Sequence, residues 1–272
     1  AVTLSGAVDI DTTGAAAGSI LFSSTIATAG FALALDAGGA GDITLSGSLT
    51  GGGAMTVRDG AVQSYAALTV GSLNIQDATT SVTFNNNIAA TTTITVASGG
   101  TIVLTGNITS GTNLDFDAIS TIGLTGSITV SGTVDIDATG TTTAASTADI
   151  SAGGAVTFGA AKSGTLTTAG DIVTTDDNIT FTRAVTLSGA VDIDTTGAAA
   201  GSILFSSTIA TAGFALALDA GPAGDITLSG SLTGGGAMTV RDGAVQSYAA
   251  LTVGSLNIQD ATTSVTFNNN IA

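Results

Sequence analysis

The sequence predicts an all-β fold, a parallel β-solenoid (a right-handed β-helix) with about 20 residues per coil and three short strands in each coil. Three observations lead there. The composition suits strands and turns, a long segment recurs almost unchanged, and a shorter period, close to the low end of solenoid repeats, runs inside it.

Composition comes first because it removes alternatives. All 20 acidic residues are Asp, and the basic residues are Arg58, Lys162, Arg183 and Arg241. Helix surfaces use long charged side chains for solubility and for i,i+4 pairing, so their scarcity argues against helices. Thr, Val and Ile favour pleated strands, and Gly, Asn, Asp and Ser supply turns. With 9 Phe, 2 Tyr and no Trp, any core must be thin. The net charge of −16 disfavours nucleic acid, because phosphate binding needs clustered Lys and Arg. It disfavours anionic membrane surfaces for the same reason. No run of 18 apolar residues is present, so no membrane-spanning segment is expected. The absence of Cys excludes disulfide staples.

The repeat sets the organisation. Residues 1–89 recur as 184–272 with one change, Gly39 to Pro222. One full unit therefore covers 1–183, and 184–272 is the first half of the next. Repeat arrays need atypical, polar-faced ends. Neither end shows one, so the natural protein is expected to continue in both directions, with this chain as a fragment of a longer array.

The shorter period sets the coil. Residues 101–120 (TIVLTGNITSGTNLDFDAIS) and 121–140 (TIGLTGSITVSGTVDIDATG) match at ten positions without a gap. Ile102 and Leu104 form one alternating run, Ile108 marks a second, and Leu114 and Phe116 form a third. Alternation places these on one face and Thr or Asp on the other. Three strands and three bends in so short a segment leave no room for hairpin loops, but they make one coil of a solenoid. Coils stacked at the inter-strand distance of ~4.8 Å would give ~43 Å per unit and ~60 Å for the chain. The rival is a string of immunoglobulin-like sandwiches of about 90 residues each. Internal matches at offsets of 20 and 59, a single Pro and the lack of Trp and Cys weigh against it.

Phrases such as GDITLSGSLTGGGAMTV (41–57), TTDDNITFTRAVTLSGAVDIDTTG (174–197) and SVTFNNNIA (81–89) resemble the β-strand repeats of giant bacterial surface proteins, the filamentous-haemagglutinin-like and autotransporter-like adhesins. That resemblance covers the whole chain through its style of repeat and composition. It implies export to the bacterial cell surface, a right-handed β-helix, and a role in adhesion, aggregation or fibre formation.

Catalytic chemistry is poorly supplied. General acid–base work draws on His, Glu, Lys, Tyr and Cys, and His, Glu and Cys are missing. Arg58-Asp59, repeated as Arg241-Asp242, reads as a surface ion pair or turn rather than a lyase site. No enzyme is expected and no cofactor is required. The sharper signal is the Asp-x-Asp pairs at Asp9/Asp11, Asp115/Asp117, Asp135/Asp137 and Asp192/Asp194. A spacing of two puts both carboxylates on the outer face of a strand. Asp115, Asp117, Asp135 and Asp137, one coil apart, would form a square of like charges that Ca²⁺ could relieve. The alternative is four solvated side chains. Lys162 alone, without Glu, makes isopeptide cross-links improbable. Thr91–Thr95 is too short and interrupted a ladder for ice binding. Asn85-Asn86-Asn87 is expected at a corner, in left-handed geometry or as a stacked amide ladder. Residue 39 or 222 is expected in a bend, where Pro costs no ladder bond.

The expected function is a structural segment of an extracellular fibre or adhesin stalk. Its partners are further copies of itself, by axial continuation or lateral association, and in the adhesin reading other cell surfaces or glycans. A glycan- or calcium-binding rod is the alternative, and Tyr65 and Tyr248 are the aromatics on which a glycan would stack.

Overall fold

In the computed structural model the described residues are 1–14, 17–159, 161–197, 199 and 201–272. They contain strands, turns and bends and no helix. The chain forms two compact units, Ala1–Ser131 and Gly132–Ala272. Each is a parallel β-solenoid in which three sheets receive one strand each per lap of about 21 residues. This is the predicted fold, and it excludes the sandwich alternative.

In the first unit the laps begin with Val2–Thr3, Val8–Asp11 and Ile20–Phe22, one strand per sheet. Their sheets then receive Ile26–Ala27, Leu33–Asp36 and Ile43–Leu45, all in parallel register. The pattern continues to Ile108–Ser110, Leu114–Ala118 and Ile122–Leu124. The second unit repeats the plan from Val134–Ala138, Thr142–Ala144 and Ile150–Ala152 to Ser255–Ile258 and Ser264–Phe267.

Alternation explains why these segments are strands. In Ile94–Ser98, Leu114–Ala118 and Ile122–Leu124 the first, third and, where present, fifth side chains are buried and those between face outward. Burying one Ile or Leu contributes about 1.5–3 kcal/mol. Large side chains sit above one another from lap to lap. Phe158, Phe181 and Phe205 form a three-ring column within one sheet, with centroids 5.4 and 4.3 Å apart. Tyr65 and Phe84 stack in another sheet at 5.6 Å, and Phe84 meets Phe116 of a neighbouring sheet across the core at 6.2 Å.

Lap length varies at the corners. A short lap brings Leu73 against Met55, and a longer one brings Leu33 against Val8. Tight corners depend on glycine. A Cβ on Gly53 would lie 1.8 Å from the carbonyl oxygen of Phe31, and one on Gly236 1.9 Å from that of Phe214. Residue 39 lies in a bend between Leu33–Asp36 and Ile43–Leu45, as expected for a site that also accepts Pro.

Candidate functional site

The outer face of the second sheet in the first unit carries an acidic strip. In Val8–Asp11 the alternation sends Asp9 and Asp11 outward. Asp11 lies in register with Asp36, so two carboxylates face each other on adjacent laps. Thr13 donates its hydroxyl and its N–H to Asp11, at 2.5 and 2.7 Å, and holds that carboxyl below its usual range. Asp36 accepts the Gly38 N–H at 3.0 Å.

Arg58 closes the strip. Its guanidinium grips Asp9 two laps away with two parallel bonds of 2.9 and 2.5 Å. That bidentate bond is the main reason the Asp9 carboxyl is held below its usual range. The second unit repeats the arrangement with Arg241 and Asp192. There Asp194 faces Asp219, whose carboxyl is pushed up mainly by burial. The ion pair read from Arg58-Asp59 thus exists, but its acid is Asp9 rather than the sequence neighbour.

The carboxylates singled out for Ca²⁺ divide differently. Asp115 and Asp117 lie on Leu114–Ala118 of the first unit, exposed and half-buried respectively. Asp135 is half-buried on Val134–Ala138 of the second unit. Asp137 is buried, not splayed into solvent. It accepts the Arg183 guanidinium at 3.1 Å and the Ala161 N–H at 2.7 Å. Arg183 is itself 3 % exposed, donates to Thr142 at 3.1 Å, and has its pKa lowered by desolvation. Asp137 already has a resident cation in Arg183. Among the described residues no group of three or more acidic, His or Cys side chains is placed to hold a metal ion.

Two further expectations change. Tyr65 and Tyr248 are fully buried, so neither offers a ring to a glycan. Each donates its hydroxyl to Gln63 or Gln246 at 2.8 Å, and each Gln donates onward to the carbonyl of Asp77 or Asp260 at 2.6 Å. Burial raises the pKa of both phenols. Phe31 and Phe214, each 40 % exposed, are instead the half-exposed rings that recur in both copies, on turns where Ala29 and Ala212 take φ of 51°. The signal for these is the Thr-Ala-Gly-Phe-Ala phrase, which breaks alternation.

Asn85–Asn87 do lie at an exposed corner, but none of them has positive φ. Their ladder runs from side chain to backbone. Asn87 accepts the Asn107 N–H at 3.0 Å, and Asn107 accepts the Ser127 N–H at 2.9 Å. Asp149, Asp171 and Asp192 repeat this device in the second unit, at 2.9 and 2.8 Å. A carboxylate or amide at each corner thereby satisfies the N–H of the next lap.

The geometry defines a tandem-repeat, parallel β-solenoid protein whose charged groups bind its own laps together. No family model, curated protein or solved structure matches the chain.

Proposed function

We propose that the chain is a structural segment of a long extracellular fibre or adhesin stalk, built from tandem solenoid repeats and without catalytic activity. One observation carries this reading. Two copies of an 89-residue sequence, one residue apart in identity, form the same parallel laps in both units. Such a unit adds length with each copy, which is what a fibre requires. The three Arg residues support it, since each is engaged in an ion pair within its own unit. Export to a bacterial cell surface rests on the resemblance of the repeats to surface adhesins.

The test is to express arrays of two, four and six full 183-residue repeats and image them. The expected result is filaments of constant width that lengthen by ~43 Å per repeat, on ~4.8 Å per lap. Compact particles whose diameter grows in all directions would sink the proposal. Protease shaving of intact source cells tests the location, and resistance of the repeat without lysis would count against a surface position.

A second reading is favoured by Phe31 and Phe214, the same half-exposed ring in each copy. A stalk with one such ring per repeat could stack on a sugar face. Glycan-array binding that survives Phe31→Ser with Phe214→Ser would remove it.

A further inference from the structure

The chain carries one Asp-Gly step twice. Asp59-Gly60 and Asp242-Gly243 each follow an Arg and precede an Ala. At such a step the amide nitrogen can attack the side-chain carboxyl of the preceding residue, because glycine puts no Cβ in the way.

The two corners share one backbone arrangement. Ala37 and Ala220 donate to the carbonyls of Asp59 and Asp242, both at 3.0 Å. Thr79 and Thr262 donate to the carbonyls of Gly60 and Gly243, at 3.1 and 3.2 Å. Among the described residues neither glycine donates its N–H to another lap. Both Asp are half-buried and both Gly are buried. The carboxylates differ. Asp242 turns Oδ1 onto its own next amide and accepts the Gly243 N–H at 2.7 Å. In Asp59, Oδ1 is buried without a hydrogen-bond partner. Its two oxygens lie 3.4 and 3.8 Å from where a Cβ on Gly39 would stand. The one residue that distinguishes the copies falls at that spot, with Pro222 in place of Gly39.

We propose that Asp242-Gly243 is a self-modification site, where the chain forms a cyclic imide and then an isoaspartyl link, and that Pro222 makes it faster than its twin by turning the carboxyl toward Gly243. The Gly243 nitrogen bonds to Cγ of Asp242 in its carboxylic acid form. The Cγ–OH bond breaks, and the nitrogen's proton leaves with that hydroxyl as water. Solvent water then adds to the α-carbonyl of the imide, its bond to nitrogen breaks, and the proton returns to nitrogen. The chain now runs through Cγ. The carbonyl that accepted the Ala220 N–H has become part of a free carboxylate, so one bond between laps is lost. This inference rests on the corner geometry and stands or falls separately from the fibre reading.

The test holds the purified 272-residue chain warm at neutral pH and follows it by mass spectrometry. Trypsin releases fragments 59–162 and 242–272, which begin at the two sites and differ in length. The imide reads as loss of one water, and electron-transfer fragmentation tells an isoaspartyl from an aspartyl link. The expected result is conversion about tenfold faster at Asp242 than at Asp59. Converted molecules should show faster hydrogen exchange at Ala220. In urea the two sites, alike in local sequence, should convert equally. Pro222→Gly restores the sequence of the first copy, which folds in this same chain, and should slow Asp242 to the rate of Asp59. Gly39→Pro should quicken Asp59. Three outcomes would overturn the proposal: no conversion at either site, equal rates in the folded chain, or an asymmetry that Pro222→Gly leaves unchanged.

Discussion

Arg58 binds Asp9 across an intervening lap. Asp9 is in register with Ala34, and Ala34 with Thr56, two residues before the arginine. The methyl group of Ala34 leaves the space through which the guanidinium reaches. Arg241 and Asp192 repeat the arrangement around Ala217. The pair ties three laps together from outside, where water screens it.

That exposure fixes the first expectation. Arg58→Met together with Arg241→Met should lower the melting temperature in low salt and change it little at high salt. The acid side has a definite sign. Asp9 and Asp11 have folded pKa values below the unfolded reference of 3.8, so their contribution is present above that value. It is lost as pH falls through the folded values. Asp219 is shifted the other way, so its effect is opposite and weakens the fold as pH rises above 3.8. Acid unfolding monitored by circular dichroism should move to higher pH when Asp9 is changed to Asn.

The buried pair should behave differently. Asp137→Asn leaves Arg183 in the core without its counter-charge, and the expected cost is about 3–5 kcal/mol. Replacing both, with Asp137→Leu and Arg183→Met, should recover much of that loss. Urea unfolding of the single and double variants measures it. Equal instability of both would show that the charges are not the source.

Alkaline pH probes the two phenols. Tyr65 and Tyr248 have folded pKa values raised above 10, so their contribution is whole below that pH. It fades as pH rises through the folded values. Tyr65→Phe with Tyr248→Phe should flatten the stability profile above pH 10. At neutral pH the same change leaves Gln63 and Gln246 without their donor, at about 1–3 kcal/mol for each. Thermal melts across pH 7–12 separate the two effects.

Neighbouring glycines should differ sharply. Gly52 has φ of 73° and open space around its Cβ position, so Gly52→Ala should cost about 1–2 kcal/mol from backbone strain. Gly53→Ala drives a methyl into the Phe31 carbonyl and must displace the corner. It should unfold the adjacent laps more readily, seen as faster hydrogen exchange at Leu33–Asp36 and Met55–Val57.

The two copies supply a natural control for the last expectation. Gly39→Pro places in the first copy what Pro222 already is in the second. It should raise stability by about 0.4–1 kcal/mol by restricting the unfolded chain. A decrease would mean that the 3.1 Å approach to the Thr79 hydroxyl cannot relax in the first unit.

Much of this fold is legible in the residue pattern. Ile102, Leu104, Ile108, Leu114 and Phe116 are the alternating residues, and all are buried. Periodicity works here because inward and outward positions differ by a single step along the strand. It fails where a polar residue turns inward. In Val62–Tyr65 the buried positions are Gln63 and Tyr65, while Val62 is exposed, so hydropathy points the wrong way. Asp137 fails for another reason. Its partner Arg183 lies 46 residues on, and nothing in local spacing announces a contact made across two laps. Alternation sends Asp9 and Asp11 outward correctly. Adjacency, however, pairs Arg58 with Asp59, when its true partner is 49 residues away.

The lap itself has a mechanical consequence. Each lap rises only ~4.8 Å along the stacking direction. Its roughly 21 residues would span about 70 Å as extended chain. Pulled along the stack, an outermost lap that peels away would release more than ten times the height it occupied. The remaining laps would keep their hydrogen bonds. Such a material yields in small steps and dissipates load as it lengthens, holding in reserve a tether far longer than its folded height.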